Sequence, residues 1–220
     1  MHKIGKTEIE IVKGDITVLD VQAIVNPANN QLMHLGGLAA AIVHRGGQII
    51  QQDSKKIGFV PTGGAVYTKG GHLKAEYIIH AVGPRYKDGK SGEKEKLESA
   101  VKNSLDIAEK LKIKSVAFPA ISSGIFGYLV VESSKIIVDT IVEHLKEKKK
   151  EKAELTIEKI VLCLLDDDTY NEFENTLKNV SFDNKSEMKD TKEKSKQTQK
   201  KTDETKKSKV KGKYEEKKYH

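Results

Sequence analysis

Apolar residues recur along the first 180 positions in two rhythms. TEIEIVKG alternates and reads as an opening strand. VQAIVNPAN, GGAVYTKG, AEYIIHAVG, KSVAFPA and TIEKIVLCLL are short apolar runs bounded by turn residues, and they read as further strands. Between them the period lengthens. GGLAAAIVHRGG predicts a helix bracketed by glycines, with Gly46 and Gly47 suited to its end, and QIIQQDSKKIG adds another helical turn or two. EKEKLESAVKNSLDIAEKLKI and VESSKIIVDTIVEHLKEKKK carry apolar stripes at helical spacing, and DTYNEFENTLKN predicts a closing helix. Strands separated by helices of this length call for an α/β fold, a mostly parallel sheet covered on both faces. No internal repeat is present.

Composition changes this picture in one place. The chain has 220 residues and a formal net charge of +7, but the charge is not spread evenly. Residues 181–220 carry 14 lysines against 8 acidic residues, a net +6, which leaves +1 for residues 1–180. Two segments follow: a folded domain over 1–180 and a lysine-rich tail over 181–220, too poor in apolar residues to offset the entropy of ordering it and expected to be disordered. Its mixed-sign charge makes it a solubilising segment first, with only a weak, salt-sensitive contact to nucleic acid or an acidic surface. The single cysteine, Cys163, sits in the run IVLCLL as a small buried hydrophobe, fits a reducing compartment and leaves no disulfide framework or cysteine-based zinc site. The first residues lack the apolar core of a signal peptide, and no run approaches the ~20 apolar residues of a membrane span. The expectation is a soluble, intracellular protein with no membrane partner.

In open α/β sheets, ligands sit at the carboxyl ends of the strands, in the loops leading into helices. Four such loops stand out, and a sheet assembled as above sets them on one rim: GDIT (14–17), NPANNQLMHLGG (26–37), AISSGIFG (120–127) and LDDDTY (165–170). AISSGIFG has the parts of a phosphate cradle held by backbone donors, and equally those of a tight turn without a ligand. Asn29 both donates and accepts, as a sugar diol requires, and Gly36 and Gly37 let the backbone approach a bulky ligand. Each of these residues can also simply close a turn or start a helix. Asp15 reads as a cap that is also able to take the amino group of a base. Asp166 to Asp168 read as a capped, solvated helix start rather than a metal site. His80 reads as a strand residue, and His34 lies in a candidate loop without a carboxylate near it in sequence. Neither is assigned a catalytic role.

Taken together, GDIT, NPANNQLMHLGGLAAAI, YIIHAVGPRY and FPAISSGIFGY, in this order and spacing, resemble the macrodomain family from about Glu8 to Asn179. Within it, HLGGLAAAI, PTGGAVYTKGGHL and HAVGPRY look most like the first macrodomain of the multi-macrodomain ADP-ribosyltransferases and, more loosely, the viral macrodomains. The resemblance implies a three-layer α/β/α fold with a mixed, mostly parallel sheet. It implies a site for ADP-ribose, free or attached to protein, with no metal or other cofactor. Asp15 and the Ile16 backbone would read adenine. Ser122, Ser123, Gly124, Ile125 and Phe126 would wrap the pyrophosphate, with Phe126 also flanking the distal ribose. Asn29 would hold the distal ribose hydroxyls, and Gly36 and Gly37 would pass close to the reacting C1″ carbon. Ala28, Leu38 and Leu165 complete the expected contacts, and Asn29 and Gly37 are the expected catalytic positions.

Two departures qualify the transfer. One hydrolase branch follows its glycine pair with a hydrophobic residue and an aspartate, whereas here Leu38 is followed by Ala39. Leu165 stands where many relatives place an aromatic ring over adenine, a loss of about 1 kcal/mol of stacking beyond buried area. The resemblance implies a monomeric hydrolase that removes mono-ADP-ribose from acidic side chains of proteins in the cytoplasm or nucleus, or else a non-catalytic reader of ADP-ribosylated proteins.

Overall fold

The alternating runs pair into one seven-stranded sheet in a computed structural model that describes residues 2–151 and 155–180. The tail read over 181–220 lies outside the described residues. Strands β1 (His2–Ile4), β2 (Thr7–Lys13), β3 (Ala23–Pro27), β4 (Ala65–Lys69), β5 (Tyr77–Ala81), β6 (Ser115–Phe118) and β7 (Lys159–Leu164) lie in the order β1-β2-β7-β6-β3-β5-β4. The five inner strands are parallel, and the edge strands β1 and β4 run antiparallel to their neighbours. The three-residue β1 hairpin was too short to be predicted.

Register sorts the side chains into two layers, because successive residues of a strand face opposite sides. Val12 pairs with Cys163, Val161 with Ala117, and Ile24 with both Ala117 and Ile78. These residues join Ile42, Val43 and Ile50 in one core cluster. The helices covering this face are α1 (Gly37–Gly46) and α2 (Ile49–Ile57), the latter longer than its sequence suggested. The intervening residues Val25, Ile79, Val116, Phe118, Ile160 and Leu162 are buried on the other face, under α3 (Glu93–Lys110), α4 (Val130–Lys150) and α5 (Asp167–Asn179). The result is the expected α/β/α sandwich. No helix among the described residues is long and apolar enough to cross a membrane.

α1 starts and stops where its glycines allow. Gly37 has φ +56° and Gly47 has φ +94°, left-handed conformations that other residues adopt only at a cost. Asp166 caps α5 by accepting from Thr169 N at 2.8 Å and Thr169 Oγ1 at 3.0 Å, which is the reading given above to the three consecutive aspartates. These hydrogen bonds, the backbone one foremost, hold the Asp166 carboxyl below its ordinary range.

Candidate functional site

Because β2, β7, β6, β3 and β5 are parallel, the loops leaving their carboxyl ends emerge on one rim. This brings together the four loops chosen from the sequence and adds a fifth, the β5–α3 loop (82–92), whose first residues belong to the motif YIIHAVGPRY but were given no role at the site. Its polar, glycine-containing run VGPRYKDGKSG looks like an ordinary solvated turn.

The β3–α1 loop is closed mainly by its own side chains. Asn29 Oδ1 accepts from Gln31 N at 3.1 Å and Met33 N at 3.0 Å, and Asn29 Nδ2 donates to Met33 O at 2.6 Å. The turn-closing role is therefore real, and it leaves Asn29 one amide hydrogen for a ligand. Leu32, at φ +50°, plugs a small apolar cluster of Ala28, Val60 and Val82. Ala28 is buried there and its N–H extends the sheet ladder to Ala81 O at 2.9 Å. The Ala28 side chain and N–H are thus used within the fold. Leu38, half-buried, packs onto the core under α1, and its backbone N–H lies in the first turn of the helix.

Beneath this loop lies a buried polar cluster that no sequence signal revealed. Asn26 Nδ2 stands 3.3 Å from His34 Nδ1 and 3.0 Å from His80 Nδ1. The outer nitrogens reach Ser54 Oγ at 2.8 Å and Thr68 Oγ1 at 2.9 Å. The rings stack with centroids 4.8 Å apart. Burial depresses both: His34 to about 4, and His80, which also feels His34, to about 3. Both rings are neutral at physiological pH.

The β6–α4 loop is a cradle of unused donors. Its N–H groups at Ile121, Ser123, Gly127 and Tyr128 are spent on Pro119, Ala120, Gly124 and Ser122 carbonyls. Those of Ser122, Gly124, Ile125 and Phe126 make no hydrogen bond to the described residues. Ser122 has φ +68°, and its buried hydroxyl has no partner. Ser123 Oγ donates to Ala120 O at 2.8 Å, which closes the turn. Ile125, 75% exposed, lies across from the glycine pair: a β carbon on Gly36 or Gly37 would stand 3.6 or 3.8 Å from its Cδ1. The two loops thus form opposite walls of one cleft.

The fifth loop braces that cradle from behind. Tyr86 N–H donates to Phe126 O at 2.8 Å, the Arg85 guanidinium lies 4.6 Å from the centroid of the Phe126 ring, and Gly83 backs onto Ser122. The buried Glu93 carboxylate folds the loop by accepting from the N–H groups of Lys87, Asp88 and Ser91. Burial opposes its ionisation, and these backbone bonds outweigh burial and keep its pKa below the ordinary value.

At the far end, Asp15 Oδ1 accepts from Thr17 N at 2.9 Å and Thr17 Oγ1 at 2.6 Å, while Oδ2 meets Arg45 at 3.0 Å. The Thr17 hydroxyl is the main reason its pKa is lowered, so the carboxylate is an acceptor only. One lone pair of Oδ2 stays open for a ligand donor. Ile16 is buried beneath, and Leu165, at the end of β7, is 78% exposed. The cleft therefore offers an acceptor at one end, backbone donors along one wall, and an amide and two glycines at the other end.

The architecture is that of a three-layer α/β/α domain with its candidate ligand groups gathered on one rim. Residues 25–137, from β3 into α4, match the family model described as Macro domain, and the chain belongs to the macrodomain family. A Sulfurisphaera tokodaii protein is 48% identical over 171 residues, spanning 76% of this chain and 89% of that protein. The solved macrodomain of Oceanobacillus iheyensis with ADP is 30% identical, with a TM-score of 0.74 over 80% of this chain and 93% of that one. The Trypanosoma brucei macrodomain solved in complex with ADP-ribose is 25% identical, with a TM-score of 0.70 over 77% of this chain and 68% of that one.

Proposed function

We propose that this cleft binds ADP-ribose and hydrolyses the bond between its distal ribose and an acidic side chain of a modified protein. The observation that carries the binding is the set of four unspent N–H groups at Ser122, Gly124, Ile125 and Phe126, in the loop whose Ile125 side chain lies across from the Gly36–Gly37 pair. Converging backbone donors suit a pyrophosphate. Asp15 accepts from the adenine amino group, and the remaining amide hydrogen of Asn29 goes to a distal ribose hydroxyl. The family neighbours solved with ADP and with ADP-ribose support a ligand of this class.

The chemistry follows from what the cleft lacks as well as what it holds. With Ala39 in place of a carboxylate, the first two turns of α1, Gly37 to Val43, carry no side chain able to act as a base, so a pyrophosphate oxygen positions the water. Water oxygen bonds to C1″, the bond from C1″ to the acyl oxygen breaks with its electron pair, and the water proton passes by way of the pyrophosphate to solvent. The departing carboxylate, with an ordinary pKa near ~4, leaves without needing a proton. An ester to Asp or Glu is therefore a substrate that a site without a general acid can turn over by positioning and electrostatics. The second reading is a reader that binds modified proteins without chemistry, and Ala39 favours it.

The deciding experiment is release of ADP-ribose from a protein mono-modified on acidic residues, run beside calorimetry with ADP-ribose. Binding with release supports the hydrolase, and binding without release leaves the reader. If neither ADP nor ADP-ribose binds at millimolar concentration, both readings fail.

A further inference from the structure

The cluster of Asn26, His34, Ser54, Thr68 and His80 is fully buried and takes no part in the chemistry above, yet His34 belongs to the loop that carries Asn29 and the glycine pair. We propose that His34 is a positioning residue for the distal-ribose end of the cleft, holding the Met33–Gly37 segment against the core through Asn26, His80 and Ser54. The proposal rests on the reading that this loop contacts the distal ribose.

The hydrogen-bond inventory is restrictive. The two amide hydrogens of Asn26 serve both Nδ1 atoms only if each ring carries its own hydrogen on Nε2, where Ser54 and Thr68 accept it. Turning the amide over would bury two unpaired donors in place of the one unpaired acceptor, Oδ1. The arrangement is therefore single-valued, and the stacked rings fix the tilt of His34. From the backbone side, Gln51 on α2 completes the grip. Its Oε1 accepts from His34 N at 2.9 Å and its Nε2 donates to Leu32 O at 2.9 Å. Two residues beyond His34 the chain enters Gly36 and Gly37, both exposed and tied to nothing by a side chain. Upstream, Asn29 is latched to Met33. The position of both distal-ribose elements thus passes through the one loop residue whose side chain enters the core cluster of polar groups. Neither the base end nor the cradle touches this network, so the network acts on one end of the ligand only.

The test is the ratio of affinities for ADP and ADP-ribose, which isolates the distal ribose. In His34→Phe, which keeps a planar ring and removes both ring hydrogen bonds, the preference for ADP-ribose over ADP falls about tenfold while the ADP affinity stays within about twofold. A role in stability alone would lower the melting temperature and leave the ratio as it was, and that result overturns the proposal. Ser54→Ala removes a single partner of His34 and serves where His34→Phe does not fold. It lowers the ratio severalfold, and an unchanged ratio again overturns the proposal. Wild type that binds ADP and ADP-ribose equally would instead overturn the distal-ribose reading itself, and the inference with it.

Discussion

The bracing of the cradle by the β5–α3 loop is open to a direct test through Gly83→Ala. A β carbon at this position would lie 2.2 Å from Ser122 Oγ and 2.8 Å from Ile121 Cγ2. Ordinary contact begins at 3.4 Å, so Ser122 must retreat by about 1.2 Å, and turning its hydroxyl aside does not remove the Ile121 clash. Ser122 has little room to yield. Its φ is already +68°, and its carbonyl is held by Tyr128 N–H at 3.0 Å. Overpacking of this kind costs about 1–3 kcal/mol, or roughly 2–12 °C in melting temperature for a domain of this size. The larger effect falls on the ligand, because the displaced segment carries the unspent donors. A hydrogen bond to a charged group contributes about 1.5–3 kcal/mol, so losing the alignment of one weakens ADP binding about 10- to 150-fold. Calorimetry with ADP and a thermal melt measure both quantities. Adding Ser122→Ala removes the atom in closest conflict and recovers part of the melting temperature, whereas Gly124→Ala, with nothing within 4 Å of its β carbon, does not destabilise. An ADP affinity within twofold of wild type in Gly83→Ala would refute the idea that the cradle is set from behind.

Two further outcomes follow from buried ionisable groups. His34 and His80 have pKa values lowered in the fold, to about 4 and about 3, from a starting value of 6.5. Above 6.5 both states are neutral. As pH falls below it the unfolded chain takes up protons that the fold refuses, so stability drops by about 1.4 kcal/mol per pH unit for each histidine. Denaturant midpoints measured from pH 7 to 4.5 should fall by an amount equivalent to about 3–5 kcal/mol, and a flat profile would contradict neutral burial. Burial, and secondarily Asp15, pushes the Cys163 thiol up to about 11, so only about one molecule in a thousand is thiolate at pH 8. Iodoacetamide should leave Cys163 unmodified in the folded protein and alkylate it in guanidinium, as read by mass spectrometry.

Much of the fold was legible because strand and helix periods are written by residues that bury locally. Five helices, six of the seven strands and the shared rim came from alternation, helical stripes and glycines such as Gly37 and Gly47. The β1 hairpin escaped because three residues cannot display a period. At the site, residue types were legible but their allegiances were not. Asn29, Ser123 and Asp15 serve their own loops first, through hydrogen bonds of two to four residues' reach. Ala28 and Leu38 sit in the right motif yet face the core, since position in a loop does not determine which way a side chain turns. The pairing of His34 with His80, 46 positions apart, and the bracing by Gly83 and Tyr86 depend on contacts between loops that no local pattern encodes.

The link from Tyr86 N–H to Phe126 O, with Gly83 set against Ser122, also bears on how such clefts diversify. Two segments that meet backbone to backbone cannot be exchanged separately between relatives without leaving a clash or an orphaned carbonyl. Residues 82–92 and 119–129 should travel as a matched pair in chimaeras.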